Sequence, residues 1–236
     1  MMEFVHVAVA VLGLLSLGHS APVTSCENLI QPLEIYRSQL LGKWVLQGES
    51  TSIPGSKILV QMVMENTWVK ITAASEADTF NNLQIQKMMG KCFTRKTNMT
   101  LVNNTLTVEL PFQNSAVLLN TGCPDCLVIF ANNTVGRTTV KDLQLLSRRT
   151  KVSAAELEEF TKQAECLNLQ PPAIMDLEKG LCPDPSLTPE TNFTDVTTHT
   201  ISSDELSLLE ELLSSEDGVK TLFDMIQRSM ASVKQD

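Results

Sequence analysis

Between about Gly42 and Ser147, apolar and polar residues alternate with a period of two. That spacing sends successive side chains to opposite faces of a strand, and it narrows the fold more than any other feature of the chain. In the run from Lys57 to Glu65, residues 57, 61 and 65 share a polar face, while Ile58, Val60, Met62 and Met64 share the other. From Thr105 to Leu110 the alternation is cleaner, with Leu106, Val108 and Leu110 on the apolar side. Further strand candidates lie near 43–49, 67–74, 80–88, 91–97, 115–120, 126–131 and 139–147. Turn residues such as Asn103-Asn104 and Asn120-Thr121-Gly122 separate them. Eight or so short strands with one apolar face each imply a sandwich or an up-and-down barrel.

After Ser147 the period changes. Ser153 and Glu156 have capping-box spacing, ahead of a helical stripe of Ala154, Leu157, Phe160, Ala164 and Leu167 that carries Cys166 near its end. The pattern predicts a long antiparallel β body with one helix lying against it. Residues 183–204 are rich in Pro, Thr and Ser and predict a linker. Beyond it Ser202 and Glu205 form a second capping box, before a stripe of Leu206, Leu209 and Leu213 flanked by Leu208 and Leu212. A last stripe uses Val219, Leu222, Phe223, Ile226, Met230 and Val233.

The N-terminus predicts export. Val5 to Leu17 is almost wholly apolar, and Gly18 and Ser20 supply small residues for cleavage before Ala21, which makes 1–20 a signal peptide. Six cysteines remain, Cys26, Cys92, Cys123, Cys126, Cys166 and Cys182, an even set suited to three disulfides with fifteen possible connectivities. Asn-x-Thr sequons stand at Asn98, Asn103, Asn132 and Asn192 and become glycosylation acceptors on export. The formal net charge of −9, without a Lys/Arg cluster, argues against nucleic acid and anionic membrane as partners. No later apolar run reaches transmembrane length, so a membrane-spanning protein is not expected. Two of the three histidines, His6 and His19, lie in the leader, which leaves only His199. Without the usual general base, zinc ligand or cofactor motif, the chain predicts no enzyme, no cofactor and no metal site.

Gly42-Lys43-Trp44, opening the first strand some way after a Cys, resembles the opening motif of the lipocalins. The stretch from Lys141 to Arg149, then Ala155 to Phe160 and Glu165-Cys166-Leu167, resembles the last strand and helix of lipocalins of the α1-acid glycoprotein (orosomucoid) and apolipoprotein M type. Fish toxin-binding, orosomucoid-like lipocalins are similar too, and the resemblance covers roughly 26–185. It implies a mainly β fold: an eight-stranded antiparallel up-and-down barrel with one C-terminal helix packed on it, here followed by a helical tail. The domains are then a lipocalin domain at 21–185 and a linker with amphipathic tail at 186–236. It also implies pairing of Cys26 with Cys166 and of Cys92 with Cys182. A third bridge of some members needs a Cys near Glu156, which is missing, so Cys123 and Cys126 are expected to form a local clip; a redox pair is the rival reading of Cys-Pro-Asp-Cys. Thr-Asp-Tyr of the second lipocalin motif is replaced by Phe130-Ala131-Asn132. An Arg of the third motif packs on the opening Trp, and Arg149, or Arg148 beside it, takes that place. Gly42, Trp44 and Arg149 would then form the barrel floor.

The resemblance implies a secreted plasma carrier of a small hydrophobic or amphipathic ligand: a lipid, lysophospholipid-like molecule, steroid or hydrophobic toxin. Inward candidates are Met62, Met64, Leu83, Ile85, Leu106, Val108, Val128, Phe130 and Leu145, with Trp68, Lys70 and Arg95 as candidates for the mouth. With two Trp, one Tyr and eight Phe, the interior falls to Leu, Val and Met, which predicts an adaptable apolar pocket. The alternatives are an acute-phase or immunomodulatory glycoprotein acting by protein interaction, and a lipocalin-type isomerase using a free thiol. The tail is expected to fold back or to self-associate weakly, in an otherwise monomeric protein, with lipoprotein particles a further candidate partner.

Overall fold

A computed structural model describes residues 25–108, 113–187, 193–197, 202–215, 217, 218, 220, 221, 224, 225 and 228. The predicted signal peptide at 1–20, Leu110, Asn192 and all six residues of the last tail stripe lie outside them.

Two short helices, α1 (Cys26–Leu29) and α2 (Arg37–Leu40), precede strand β1 (Gly42–Thr51) and helix α3 (Ser56–Val63). Seven strands follow: β2 (Met64–Ala73), β3 (Thr79–Met88), β4 (Lys91–Val102), β5 (Thr105–Val108), β6 (Gln113–Leu119), β7 (Cys126–Val135) and β8 (Thr138–Ser147). Neighbours in sequence pair antiparallel, and β8 returns to β1, so β1–β8 close into an eight-stranded up-and-down barrel. Helix α4 (Ala154–Cys166) carries the Ser153/Glu156 capping box. Strand β9 (Ala173–Ile174) then adds to β1, and β10 (Phe193–Asp195) runs parallel to β4. Helix α5 (Ser203–Ser214) folds back on the β7–β8 turn, where the Glu210 carboxylate accepts the Arg137 backbone N–H at 3.0 Å. No described helix is long and apolar enough to cross a membrane.

One strand expectation is corrected. The run from Lys57 to Glu65 is mostly helix α3, begun by Gly55 in the left-handed region (φ 77°). Its period-two reading competes with a helical one: Ser56 and Val63 are buried and Leu59 and Val60 half-buried, a spacing of i, i+3, i+4, i+7. Met62 therefore lies on a helix outside the barrel, 51% exposed, and is not an inward residue.

Three apolar cores result. Trp44, Leu46, Ile71, Phe80, Leu106 and Leu146 fill the closed end of the barrel. Between the outer face of the barrel and α4, Phe160 and Ala164 pack with Leu119, Val128, Leu143 and Leu145. Outside β2–β3, Trp68 and Ile85 pack under Leu177, Leu181 and Cys182. Gly48 lets α4 approach β1, since a Cβ there would come within 3.0 Å of Phe160 Cε1 and 3.1 Å of Ile174 Cδ1.

Disulfides join Cys26 to Cys166, Cys92 to Cys182 and Cys123 to Cys126, the pairing the resemblance and the missing helix cysteine imply, and no described cysteine is free. The first ties α1 to the end of α4, and the second fastens the chain after β9 to β4.

At the floor, the Trp44 indole N–H donates to the Leu40 carbonyl at 2.8 Å. The guanidinium over its ring belongs to Arg148, 3.6 Å from the centroid, and not to Arg149. Arg148 also donates to the carbonyls of Leu41, Gln39 and Lys43. Glycine suits position 42, because a φ of 105° strains any other residue and a Cβ there would displace the end of Arg148. Arg149, one residue on and facing outward, bridges Asp125 at 2.7 Å and Glu156 at 2.8 Å, which links the Cys123–Cys126 clip to the start of α4. We expect Arg148→Ala to cost about 1–2 kcal/mol in urea unfolding. Lysine should recover little of it, for it lacks the planar fork that reaches several carbonyls at once.

Candidate ligand-binding site

The end of the barrel opposite Trp44, bounded by α3 and the β3–β4 and β7–β8 turns, opens on a cavity of about 310 Å3. That volume suits one small ligand and lies at the lower end of the usual range. Strand alternation builds its wall. On each strand every second side chain points inward, and the inward set changes character from floor to mouth.

Near the floor the lining is Leu46, Val69, Ile71, Met99, Leu106 and Leu146. Ala116 and Ala131, directly paired across β6 and β7, sit at mid-height, where their small side chains leave room. Towards the mouth come Glu49, Gln84, Gln86, Arg95, Asn114, Asn133, Asp142 and Gln144, with Thr67, Met64 and Val108 among them, while Ile129, two residues before Ala131 on β7, packs against the floor cluster. Asn82 and Thr97, hydrogen-bonded to one another at 3.2 Å, complete the ring. The cavity is amphipathic, with an apolar floor under a belt of carboxamides and charged groups.

Of the sequence candidates, Met64, Leu106 and Val108 line this cavity. Leu83 and Ile85 do not; they face outward into the core under Cys182. Val128, Phe130 and Leu145 likewise face outward, beneath α4. On β3 the inward residues are Phe80 at the floor and then Asn82, Gln84 and Gln86, so above the floor the apolar face of that strand is its outer one. Both outer faces are buried by later chain, which is why apolarity alone points the wrong way. Trp68 is fully buried outside the wall and donates its indole N–H to the Cys182 carbonyl, while Lys70 pairs with Asp184. Of the three candidates for the mouth, Arg95 lines the cavity.

Sequence reasoning missed Glu49 and Asp142, which face the upper cavity from adjacent strands. Burial pushes the Asp142 carboxyl well above its ordinary value, and the neighbouring Glu49 charge raises it further. Burial raises Glu49 too, against a hydrogen bond with Asp142 that partly restores it. Their local chemistry is that of two neighbouring acids in a largely buried wall, each harder to ionise than a free carboxyl. Burial also lowers the Arg95 guanidinium.

Asn98 and Asn132 are exposed on the outer faces of β4 and β7, and Asn103 is exposed in the β4–β5 turn at φ 48°. All three sequons are accessible.

No family model matches the chain, and no curated protein matches it. Among solved structures it is similar to the siderocalin Ex-FABP, described as functioning through dual ligand specificities, at a TM-score of 0.51 and 19% sequence identity. The match covers 58% of this chain and 93% of that one. At this identity the likeness is one of fold, a lipocalin-type barrel.

Proposed function

We propose that this lipocalin-fold chain is an exported glycoprotein that carries one small amphipathic molecule in its barrel, the apolar part on the floor and the polar part in the belt near the mouth. The observation that carries the reading is the cavity itself. A barrel serving only as scaffold would close its interior with leucine and valine, whereas here small alanines face one another and unfilled space follows. Three disulfides suit an oxidising compartment, in keeping with the leader and the accessible sequons.

The polar belt narrows the ligand. A purely hydrocarbon guest would strip water from the carboxamides and leave them unpaired, so a molecule with its own hydrogen-bonding end fits better than a bare lipid chain. Saturable displacement of a fluorescent fatty acid from the secreted protein should be measurable. Ala131→Trp, which fills the middle of the cavity, should weaken that binding by about tenfold or more while circular dichroism and Tm stay close to wild type. Wild-type protein that binds no such probe would sink the carrier reading and leave an interaction protein with an incidental barrel. A secreted mass unchanged by glycosidase would remove the glycoprotein part alone.

A further inference from the structure

Two carboxyl groups in one barrel wall are an expensive arrangement. Glu49 lies on β1 opposite Gln144 of β8, and Asp142 lies opposite Thr51, so the two acids face the same upper cavity from neighbouring strands. Bringing them together in a wall removes hydration from both and sets like charges side by side.

Nothing in the described structure offsets that cost with a positive charge. Neither acid joins an ion pair among the described residues. Asp142, 8% exposed, has its Oδ1 without any hydrogen-bond partner. The groups that act on the pair are one another, the Gln144 side chain and the Leu143 backbone, and none is cationic. β9, which pairs with β1 at Gly48 and Glu49, brings Ala173 and Ile174 and no titratable group. Among the described residues, Arg95 on β4 is the other charged residue that lines the cavity, and it is not among the groups that shift either acid. A wall meant only to pack would be better served by an apolar pair at these positions.

We propose that Glu49 and Asp142 are the anchor for a protonated amine of the ligand, which seats its ammonium against the two carboxyls and its apolar frame on the floor of the barrel. This deepens the carrier reading and rests on it. An ammonium offers three donors, enough to reach the orphan Asp142 Oδ1 and a Glu49 oxygen together. The charges match as well: burial holds both carboxyls back from ionising, and an ammonium seated against them supplies the opposite charge that favours their ionised form. As pH falls through their raised range, the carboxyls take up their protons and the charge is lost. Amine binding should therefore weaken with acidity, and binding of a neutral ligand should not.

The test uses three isosteric probes small enough for the cavity, phenylbutylamine, phenylbutanol and phenylbutanoate, in calorimetric titration of the full secreted chain. The amine should bind at least about tenfold tighter than the alcohol near neutral pH, and the carboxylate weakest of the three. Titrations at successively lower pH should lose the amine's advantage as the raised carboxyls take up their protons, while alcohol binding stays level. Glu49→Gln combined with Asp142→Asn should abolish the preference while alcohol binding persists, which also shows that the variant is folded. Equal binding of amine and alcohol, or a preference that survives the double substitution, overturns the anchor and leaves the carrier intact. If none of the three probes binds and the fluorescent fatty acid is not held either, the carrier reading fails and the anchor falls with it. If the fatty acid is held and the amine is not, the anchor alone is wrong.

Discussion

Phe160→Ala is expected to cost about 3–5 kcal/mol of stability in urea unfolding, the largest loss from any single truncation under α4. The ring is 1% exposed and packs with Leu119, Val128, Leu143, Leu145 and Ala164, between the helix and the outer face of the barrel. Three features prevent the site from collapsing around the missing ring. Gly48 has no side chain with which to fill it, and contact with the ring is already tight there. The helix cannot slide inward, because Cys166 is bonded to Cys26 and Gln163 donates to the carbonyls of Leu29 and Asn120 at 2.8 and 2.6 Å. Its N-terminus is held by the capping box and by the Arg149–Glu156 pair. A cavity is therefore left open, and the cost of empty volume adds to that of lost burial. Leu157→Ala, at a half-buried position on the same face, should cost less than half as much. A loss below about 1 kcal/mol for Phe160→Ala would mean that α4 is not docked as described.

Most strands were legible because their alternation runs the length of the element, although the alternating run from Lys57 to Glu65 is mostly helix, and the Ser153 cap marked the start of α4 to the residue. Which face of each strand turned inward was much less legible. A one-residue slip reverses every side chain on a strand, and the choice between Arg148 and Arg149 was such a slip. With Arg148 on Trp44, the inward set of β8 is Leu146, Gln144 and Asp142; with Arg149 it becomes the odd-numbered set that includes Leu145. Glu49 was hidden by a different device. Counting by twos from Trp44 through Leu46 puts Gly48 inward, but an irregularity in the β1–β8 register between Leu46 and Gly48 shifts the count, and Glu49 faces the cavity instead. Nothing in the local sequence announces that shift. The polar interior of β3 had a signal that apolarity obscured: a bridge from Cys92 to Cys182 lays chain over the outer wall, and an outer wall that is covered can be the apolar one.

Removing that bridge, as Cys92→Ala with Cys182→Ala, is expected to cost about 4–5 kcal/mol in the chain-entropy description of a long closed loop. The bonded residues are 90 apart, against 3 for Cys123 and Cys126, whose loss should cost only about 1–2 kcal/mol on the same reasoning. The larger loss has a particular consequence here. Cys182 carries the carbonyl that accepts the Trp68 indole N–H at 2.8 Å, and Leu177 and Leu181 pack beside it over Ile85 and Leu83. Released from β4, this segment uncovers the apolar outer face of β2–β3, while the inner face of β3 above Phe80 carries Asn82, Gln84 and Gln86 and offers little apolar surface to exchange for it. The barrel wall has its polarity inverted at this strand, and the disulfide is what holds the cover in place. The double variant should therefore bind a hydrophobic dye such as ANS at temperatures where wild type does not, with red-shifted Trp68 emission, before the barrel itself melts. Simultaneous loss of all signals at an unchanged Tm would show that the segment is held by packing alone and that the bridge contributes little.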